Sequence, residues 1–286
     1  MGPPTREELT VSVSLHVIDE GAGPAVVLLH GFPDSSALWR HQIPVLVEAG
    51  YRVIAPDLRG FGASDKPASV DAYRLEASVA DVLAILDQRG IERADVVGHD
   101  WGAGLAWVLA ARVPERVHRL VVMSVGHPNA GRPPSVAQRE KSWYMLLFQF
   151  EDTAEALLAQ SDWKLAREWL RGNGDVDRYL VDLARPGALT AALNWYRANV
   201  SPEREVGAPR AFPEVRAQTL GLWSSGDDYL LEEQMVGSAE HVTGGWSYAR
   251  VDGASHWLQL DAPERVNELL AAFLREERPA GAEAPR

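Results

Sequence analysis

Short apolar runs alternate with helical patterns in this 286-residue chain, stop, and later resume, and that rhythm constrains the fold more than any other feature. Val26-Val27-Leu28-Leu29, Arg52 to Ala55, Ala94 to Val97 and Arg119 to Met123 read as buried strands, each a mostly apolar run of strand length. Helical patterns over Ala72 to Gln88 and Gly102 to Ala111 fall between them. Strands joined through helices form parallel βαβ units, whose right-handed crossovers place helices on both faces of the sheet. A β-rich stretch from Thr10 to Ile18, turning at Gly21-Ala22-Gly23-Pro24, precedes the first unit.

Between Pro128 and Pro213 the rhythm gives way to several helical patterns rich in Trp, Leu and Ala. Thr219 to Trp223 and Ser247 to Val251 then read as strands again, with helices over Glu232 to His241 and Pro263 to Leu274. The expected architecture is α/β: a core of residues 1–127 and 214–274 built on a mostly parallel sheet flanked by helices, with residues 128–213 inserted as a helical cap. Residues 275–286, REERPAGAEAPR, have the composition of a disordered tail.

Composition removes whole classes of chemistry. A net charge of -12 argues against a nucleic-acid partner, which needs Lys and Arg to neutralise phosphates. With no cysteine there is no disulfide, thiolate metal site or cysteine nucleophile. Gly60 and Gly62 lack the third glycine and following helix of a dinucleotide loop, and no Walker loop or H-E-x-x-H pair occurs, so no cofactor or metal is expected. The start, MGPPTREELT, resembles no signal peptide and no apolar run approaches the ~20 residues of a membrane helix, so a cytoplasmic protein without a membrane partner is expected. Lysine occurs only at positions 66, 141 and 164, while Arg, Ala, Gly and Pro abound, the bias of a high-GC bacterial gene.

Chemistry concentrates at Gly98-His99-Asp100-Trp101-Gly102, between an apolar strand and an alanine-rich helix. Two glycines four apart are common by chance, and the strand before and helix after give the motif its weight. A carboxylate is already ionised at neutral pH, so Asp100 can attack a saturated carbon without a base and become an alkyl ester. Aspartate at a helix start can also serve simply as a cap. Hydrolysing such an ester requires an activated water, hence a histidine further along. Asp227 and Asp228 lie just past a strand end, and His256 follows the next strand. His256 is the candidate base, and one of the two aspartates its orienting acid.

This set, together with Leu28-Leu29-His30-Gly31-Phe32-Pro33, resembles the α/β hydrolases from about Ala25 to Leu274, in the order nucleophile, acid, histidine. The resemblance is to soluble epoxide hydrolases, close to haloalkane and fluoroacetate dehalogenases. It implies that the backbone amides of Phe32 and Trp101 form an oxyanion hole. The family's Trp-Gly-x-x-Asp pattern favours Asp227, with Asp228 as the alternative; Ser224 stands where that pattern has glycine. Ser142 to Gln149 and Leu193 to Arg197 resemble the two tyrosine-bearing cap segments, which implies that Tyr144 and Tyr196 donate hydrogen bonds to an oxirane oxygen. Trp143, Phe148, Trp195 and Trp257 lie beside these groups in sequence and are expected to line a pocket for a small apolar epoxide. A haloalkane dehalogenase with the same triad is the alternative activity, and a ligand-binding protein without turnover is the alternative from another class. His30 is read as a loop organiser and His127 as a hinge or packing residue.

Overall fold

A computed structural model describes residues 13–171, 173–200 and 212–275. Strands β1 (Val17–Gly21), β2 (Ala25–Leu29), β3 (Arg52–Pro56), β4 (Ala94–His99), β5 (Val117–Met123), β6 (Gln218–Gly226) and β7 (Trp246–Ser255) form one sheet, in the order β1-β3-β2-β4-β5-β6-β7. All neighbours are parallel except β1 with β3. Helices α1 (Ile43–Glu48), α2 (Leu75–Gln88) and α3 (Trp101–Arg112) belong to the first half of the sheet. Helices α4 (Val136–Lys141), α5 (Trp143–Leu147), α6 (Thr153–Trp169), α7 (Val176–Leu183) and α8 (Ala188–Asn199) stand between β5 and β6, and α9 (Glu232–Gly237), α10 (Leu258–Asp261) and α11 (Pro263–Arg275) complete the chain.

Every residue of β2 and β4 is buried, because helices cover both faces of the central strands, and this is why they read as unbroken apolar runs. The helices that do the covering are amphipathic: α11 buries Val266, Leu270, Ala271, Phe273 and Leu274 on one side. The strand order reverses at β2, which has β3 on one side and β4 on the other. In open parallel sheets, the crevice beyond the carboxyl ends at such a reversal is where ligands bind. β2 delivers the His30-Gly31-Phe32 loop to that crevice and β4 delivers Asp100.

Several boundaries differ from the sequence reading for identifiable reasons. The first strand begins at Val17 rather than Thr10; Ser14 and His16 instead pair with the loop after β3, their amides donating to Asp65 Oδ2 (2.8 Å) and Ser64 Oγ (2.9 Å). Residues 10–12 lie outside the described residues, as do residues 276–286 of the expected tail. The helix expected from Ala72 starts at Leu75, because Val70–Tyr73 form a tighter turn and Arg74 is extended. Helix α6 is broken at Gln160–Trp163, where Ser161, Asp162 and Trp163 take positive φ. The helices after β5 fall within residues 128–213. Their two ends are tied side by side: Asn129 Nδ2 donates to the Phe212 carbonyl (3.0 Å) and His127 Nε2 to that of Pro213 (3.3 Å). Among the described residues, no helix is long and apolar enough to cross a membrane.

Helix α3 packs closely against the end of β2. A Cβ on Gly102 would run into the carbonyl oxygens of Leu29 and His30, and one on Gly98 would meet the backbone of Gly102 and Ala103. Backbone on every side leaves nothing flexible to yield. Gly102→Ala is therefore expected to destabilise the fold by about 3 kcal/mol, in the range of severe overpacking. The check is the urea midpoint, and a midpoint equal to that of the wild type would contradict this packing.

Candidate active site

Asp100 is the single residue between the last residue of β4 and the first of α3, with φ 52° and ψ -120°. A positive φ is costly for a residue with a side chain and persists only where the surroundings enforce it. The close approach allowed by Gly98 and Gly102 supplies that enforcement, and the turn pushes the Asp100 side chain out over the crevice. There the Phe32 amide donates to Asp100 Oδ1 at 2.7 Å, and the Trp101 amide also holds the carboxylate. Gly31 is required beside them, since a Cβ at that position would collide with the Asp100 side chain. His30 organises this loop: its Nδ1 donates to the Gly31 carbonyl (2.9 Å) and its Nε2 accepts from the Leu58 amide (2.9 Å).

A buried chain of charge leads away from Asp100. His256, just after β7, donates from Nδ1 to Asp227 Oδ2 at 2.8 Å, and its Nε2 lies 3.6 Å from Asp100 Oδ2. Asp227, just after β6, has its other oxygen filled by the amides of Tyr229 (2.8 Å) and Leu230 (2.9 Å). Asp228 points to solvent and makes none of these contacts, so the geometry selects Asp227 of the two. The His256 carbonyl is itself fixed by His99 Nε2 (2.9 Å) and Ser124 Oγ (3.2 Å).

Burial alone would drive protons off His256, yet the carboxylates of Asp227 and Asp100 outweigh it and push its pKa up to about 10. Burial would raise both carboxyls, but the His256 ring outweighs it for each, and the surrounding amides help; both stay below the ordinary 3.8. The site therefore rests as an imidazolium between two carboxylates.

Above Asp100 sits a narrow cavity with about 220 Å³ of empty space. The core contributes Phe32, Asp100, His256 and Trp257, and the inserted helices contribute Tyr144, Trp169 and Tyr196. The rings of Tyr144 and Tyr196 are 5.8 Å apart. Both phenols are held well above their ordinary pKa, first by burial and then by the Asp100 charge, so they keep their protons and can donate. Among the described residues no cluster of three or more His, Asp or Glu side chains is suited to hold a metal ion.

Comparison with known proteins agrees with this architecture. Residues 24–263 match the family model described as the alpha/beta hydrolase fold. The chain belongs to the α/β-hydrolase fold family. This hydrolase is 37% identical to the AB hydrolase superfamily protein YfhM of Bacillus subtilis, over 93% of its own length and 96% of the relative's. It is 34% identical to Epoxide hydrolase A of Mycobacterium tuberculosis, over 96% and 98%. Among solved structures it is similar to Epoxide Hydrolase A from Mycobacterium thermoresistibile (TM-score 0.76, 32% identity, 92% of this chain and 95% of that one). A Bacillus megaterium epoxide hydrolase in complex with an inhibitor superposes with TM-score 0.82 at 28% identity, over 92% and 98%.

Not every aromatic residue expected at the pocket of this hydrolase reaches it. Trp143 is 46% exposed on the outer side of α5, and Trp195 is buried behind the cavity with Nε1 donating to the Arg59 carbonyl at 3.0 Å. Phe148 packs against Phe32, Tyr144 and Tyr196 and supports the wall rather than lining it. Trp257 does line the cavity. Trp169, Leu170 and Tyr229 line it too and went unrecognised in the sequence, where no motif marks them.

The raised His256 pKa gives a signed expectation. Its contribution to stability is fully present below about pH 6.5 and is lost as pH rises through about 10. In an NMR titration, His256 of the wild type should remain an imidazolium past about pH 8, and Asp227→Asn should bring its midpoint down toward 6.5. A wild-type midpoint already near 6.5 would contradict the charge chain.

Proposed function

We propose that this α/β hydrolase is an epoxide hydrolase, adding water across an oxirane to give a vicinal diol through an ester on Asp100. The observation that carries the reading is convergence: Asp100, His256, Tyr144 and Tyr196 all line one small cavity. Similarity to proteins named epoxide hydrolases supports it from outside the site. In this reading residues 128–213 act as a cap that shields the reaction from bulk solvent while admitting the water it consumes.

Asp100 Oδ1 is already held by the Phe32 amide, which leaves Oδ2 to attack a ring carbon. The new carbon–oxygen bond forms as the ring bond breaks, and Tyr144 and Tyr196 receive the departing oxygen, one of them giving it a proton. Esterification removes the Asp100 charge, which had helped to raise both phenols and His256. The phenols become stronger acids and the imidazolium a stronger acid in the same event. The His256 proton then replaces the one lost by the phenol, leaving a neutral imidazole.

In the second step His256 Nε2 takes a proton from water, and the hydroxide adds to the Asp100 carbonyl carbon. The oxyanion forms where the Phe32 and Trp101 amides already donate, a pair worth roughly 3 kcal/mol of barrier per donor. Collapse breaks the ester and releases the second alkoxide, which takes the proton of the new carboxyl group. Asp100 is again a carboxylate carrying one oxygen from water, and His256 is again an imidazolium.

One observation favours the halide-releasing alternative: the indole N–H groups of Trp169 and Trp257, two residues that line the cavity, are buried with no hydrogen-bond partner among the described residues, and such donors suit a halide. A panel of epoxides and haloalkanes, scored for diol and halide together, separates the two. Halide release without diol would overturn the epoxide reading.

Replacing His256 should permit the first step and block the second. His256→Gln treated with an accepted epoxide should gain the whole substrate mass at Asp100, seen by intact-protein and peptide mass spectrometry; absence of any adduct would contradict the two-step scheme. Tyr144→Phe and Tyr196→Phe should each lower kcat by about tenfold or more, and the double variant by roughly a thousandfold, the range for general acid catalysis. A double variant at full rate would remove the tyrosines from the mechanism. A single turnover in heavy-oxygen water should place the label in the Asp100 side chain and unlabelled protein oxygen in the diol.

A further inference from the structure

The segments that carry the two phenols of the cavity are tied to each other through a buried guanidinium. Arg197, the residue after Tyr196 on α8, has a side chain 5% exposed, paired with Glu155 in the first turn of α6. Its Nε donates to the Phe148 carbonyl at 2.8 Å, Nη1 to Glu155 Oε1 at 2.8 Å and to Asn194 Oδ1 at 3.1 Å, and Nη2 to Glu155 Oε2 at 2.9 Å. Phe148 ends α5, and its amide donates to the Tyr144 carbonyl at 2.9 Å. The guanidinium therefore stands one residue from Tyr196 and one helical turn from Tyr144. The Phe148 ring fills the angle between them, 5.5 Å from the ring of Tyr144 and 4.9 Å from that of Tyr196.

Burial would raise the Glu155 carboxyl, but Arg197 outweighs it and holds it below its ordinary range, so the carboxylate stays ionised against the guanidinium. Two charges placed this deep are costly to desolvate, and apolar side chains of similar volume would fill the space as well. What the planar fork adds is direction: bonded to three residues at once, it fixes the distance between α5 and α8 as a point charge or an apolar contact could not. That distance matters because both phenols act on one oxygen while their helices are fastened to different parts of the core. Helix α8 is bonded through Asn199 to the Tyr73 carbonyl, and α4, which leads into α5, is bonded through Gln138 to the Tyr229 carbonyl.

We propose that Arg197 and Glu155 are a positioning pair for ring opening, holding the hydroxyls of Tyr144 and Tyr196 at the separation at which both reach one oxirane oxygen. The proposal rests on the epoxide hydrolase reading and gives a role in it to two residues that touch neither substrate nor reacting atoms. It concerns the first step alone, since the second is carried by His256 and the amides of Phe32 and Trp101.

The test follows both steps in single turnovers of a panel of epoxides, with the Asp100 ester measured by rapid quench and intact-protein mass spectrometry. Arg197→Met, which keeps the length and loses the donors, should slow ester formation by at least about tenfold, because a displacement of about 1 Å can cost a hundredfold. Ester breakdown should keep its wild-type rate. Glu155→Gln, the milder change that keeps the test open if Arg197→Met does not fold, should slow formation several-fold and again spare breakdown. Adding Tyr144→Phe to Arg197→Met should cost less than about threefold, against about tenfold or more in the wild type, because groups that act as a unit are not additive. Ester formation unchanged in both single variants, equal slowing of the two steps, or an undiminished cost of Tyr144→Phe beside Arg197→Met overturns the positioning role and leaves the epoxide reading standing. Wild-type protein that forms neither ester nor diol with any epoxide of the panel overturns the reading and the proposal together.

Discussion

The negative charge on Asp100 is the quantity to which the rest of the site is set. It lies in a crevice walled by aromatic rings, where a charge is felt more strongly than in water. It raises the pKa of His256, Tyr144 and Tyr196 together. In the proposed reaction that charge vanishes when the ester forms, and all three groups shift in the direction the next event needs: the phenols toward releasing protons, the imidazolium toward becoming a base. The second carboxylate, Asp227, keeps its charge throughout, which is why the imidazole stays oriented by its Nδ1 bond after the first carboxylate is consumed.

Holding such a charge in place falls to the backbone. The positive φ of Asp100 is sustained because α3 approaches β2 so closely that only glycine fits at Gly102, and because Gly31 clears space for the side chain. The same approach brings the Phe32 amide to 2.7 Å from Asp100 Oδ1. Strained turn, the backbone amides that hold Asp100 and sheet reversal are thus one feature, created where the chain switches from one side of β2 to the other.

What could be read from the sequence follows from which signals are local. The buried strands were legible because β2 and β4 are covered on both faces, leaving no polar face to dilute the apolar run. Asp100 and His256 could be placed because each directly follows a strand, β4 and β7, where position in sequence nearly fixes position in space. The inserted helices offer no such anchor. Successive side chains on a helix point about 100° apart, so the neighbours Trp143 and Tyr144, or Trp195 and Tyr196, face different directions. The sequence carries the pair but not the phase, and in both cases the tyrosine faces inward. Trp169 and Leu170 were invisible for a related reason: they end a helix whose course is set by a break at Gln160–Trp163, where no proline or glycine announces a change of direction.

The two tyrosines are referenced to the core by different routes. Helix α8, which bears Tyr196, is fastened to the segment before α2: Asn199 Nδ2 donates to the Tyr73 carbonyl (2.8 Å), and Asn199 Oδ1 accepts from the Leu75 amide (3.1 Å). Trp195 adds its bond to Arg59, so the residue that fails to line the cavity still fixes the one that does. Tyr144 instead follows α4, which clasps the loop after β6. Gln138 donates to the Tyr229 carbonyl (2.9 Å) and accepts from the Leu231 amide (3.0 Å), while Lys141 holds the Asp227 carbonyl. One phenol is therefore tied to the flank of the sheet and the other to the loop that carries Asp227. Gln138, Lys141 and the loop after β6 thus hold Tyr144, Tyr229 and Asp227, the partner of His256, in one short stretch of structure.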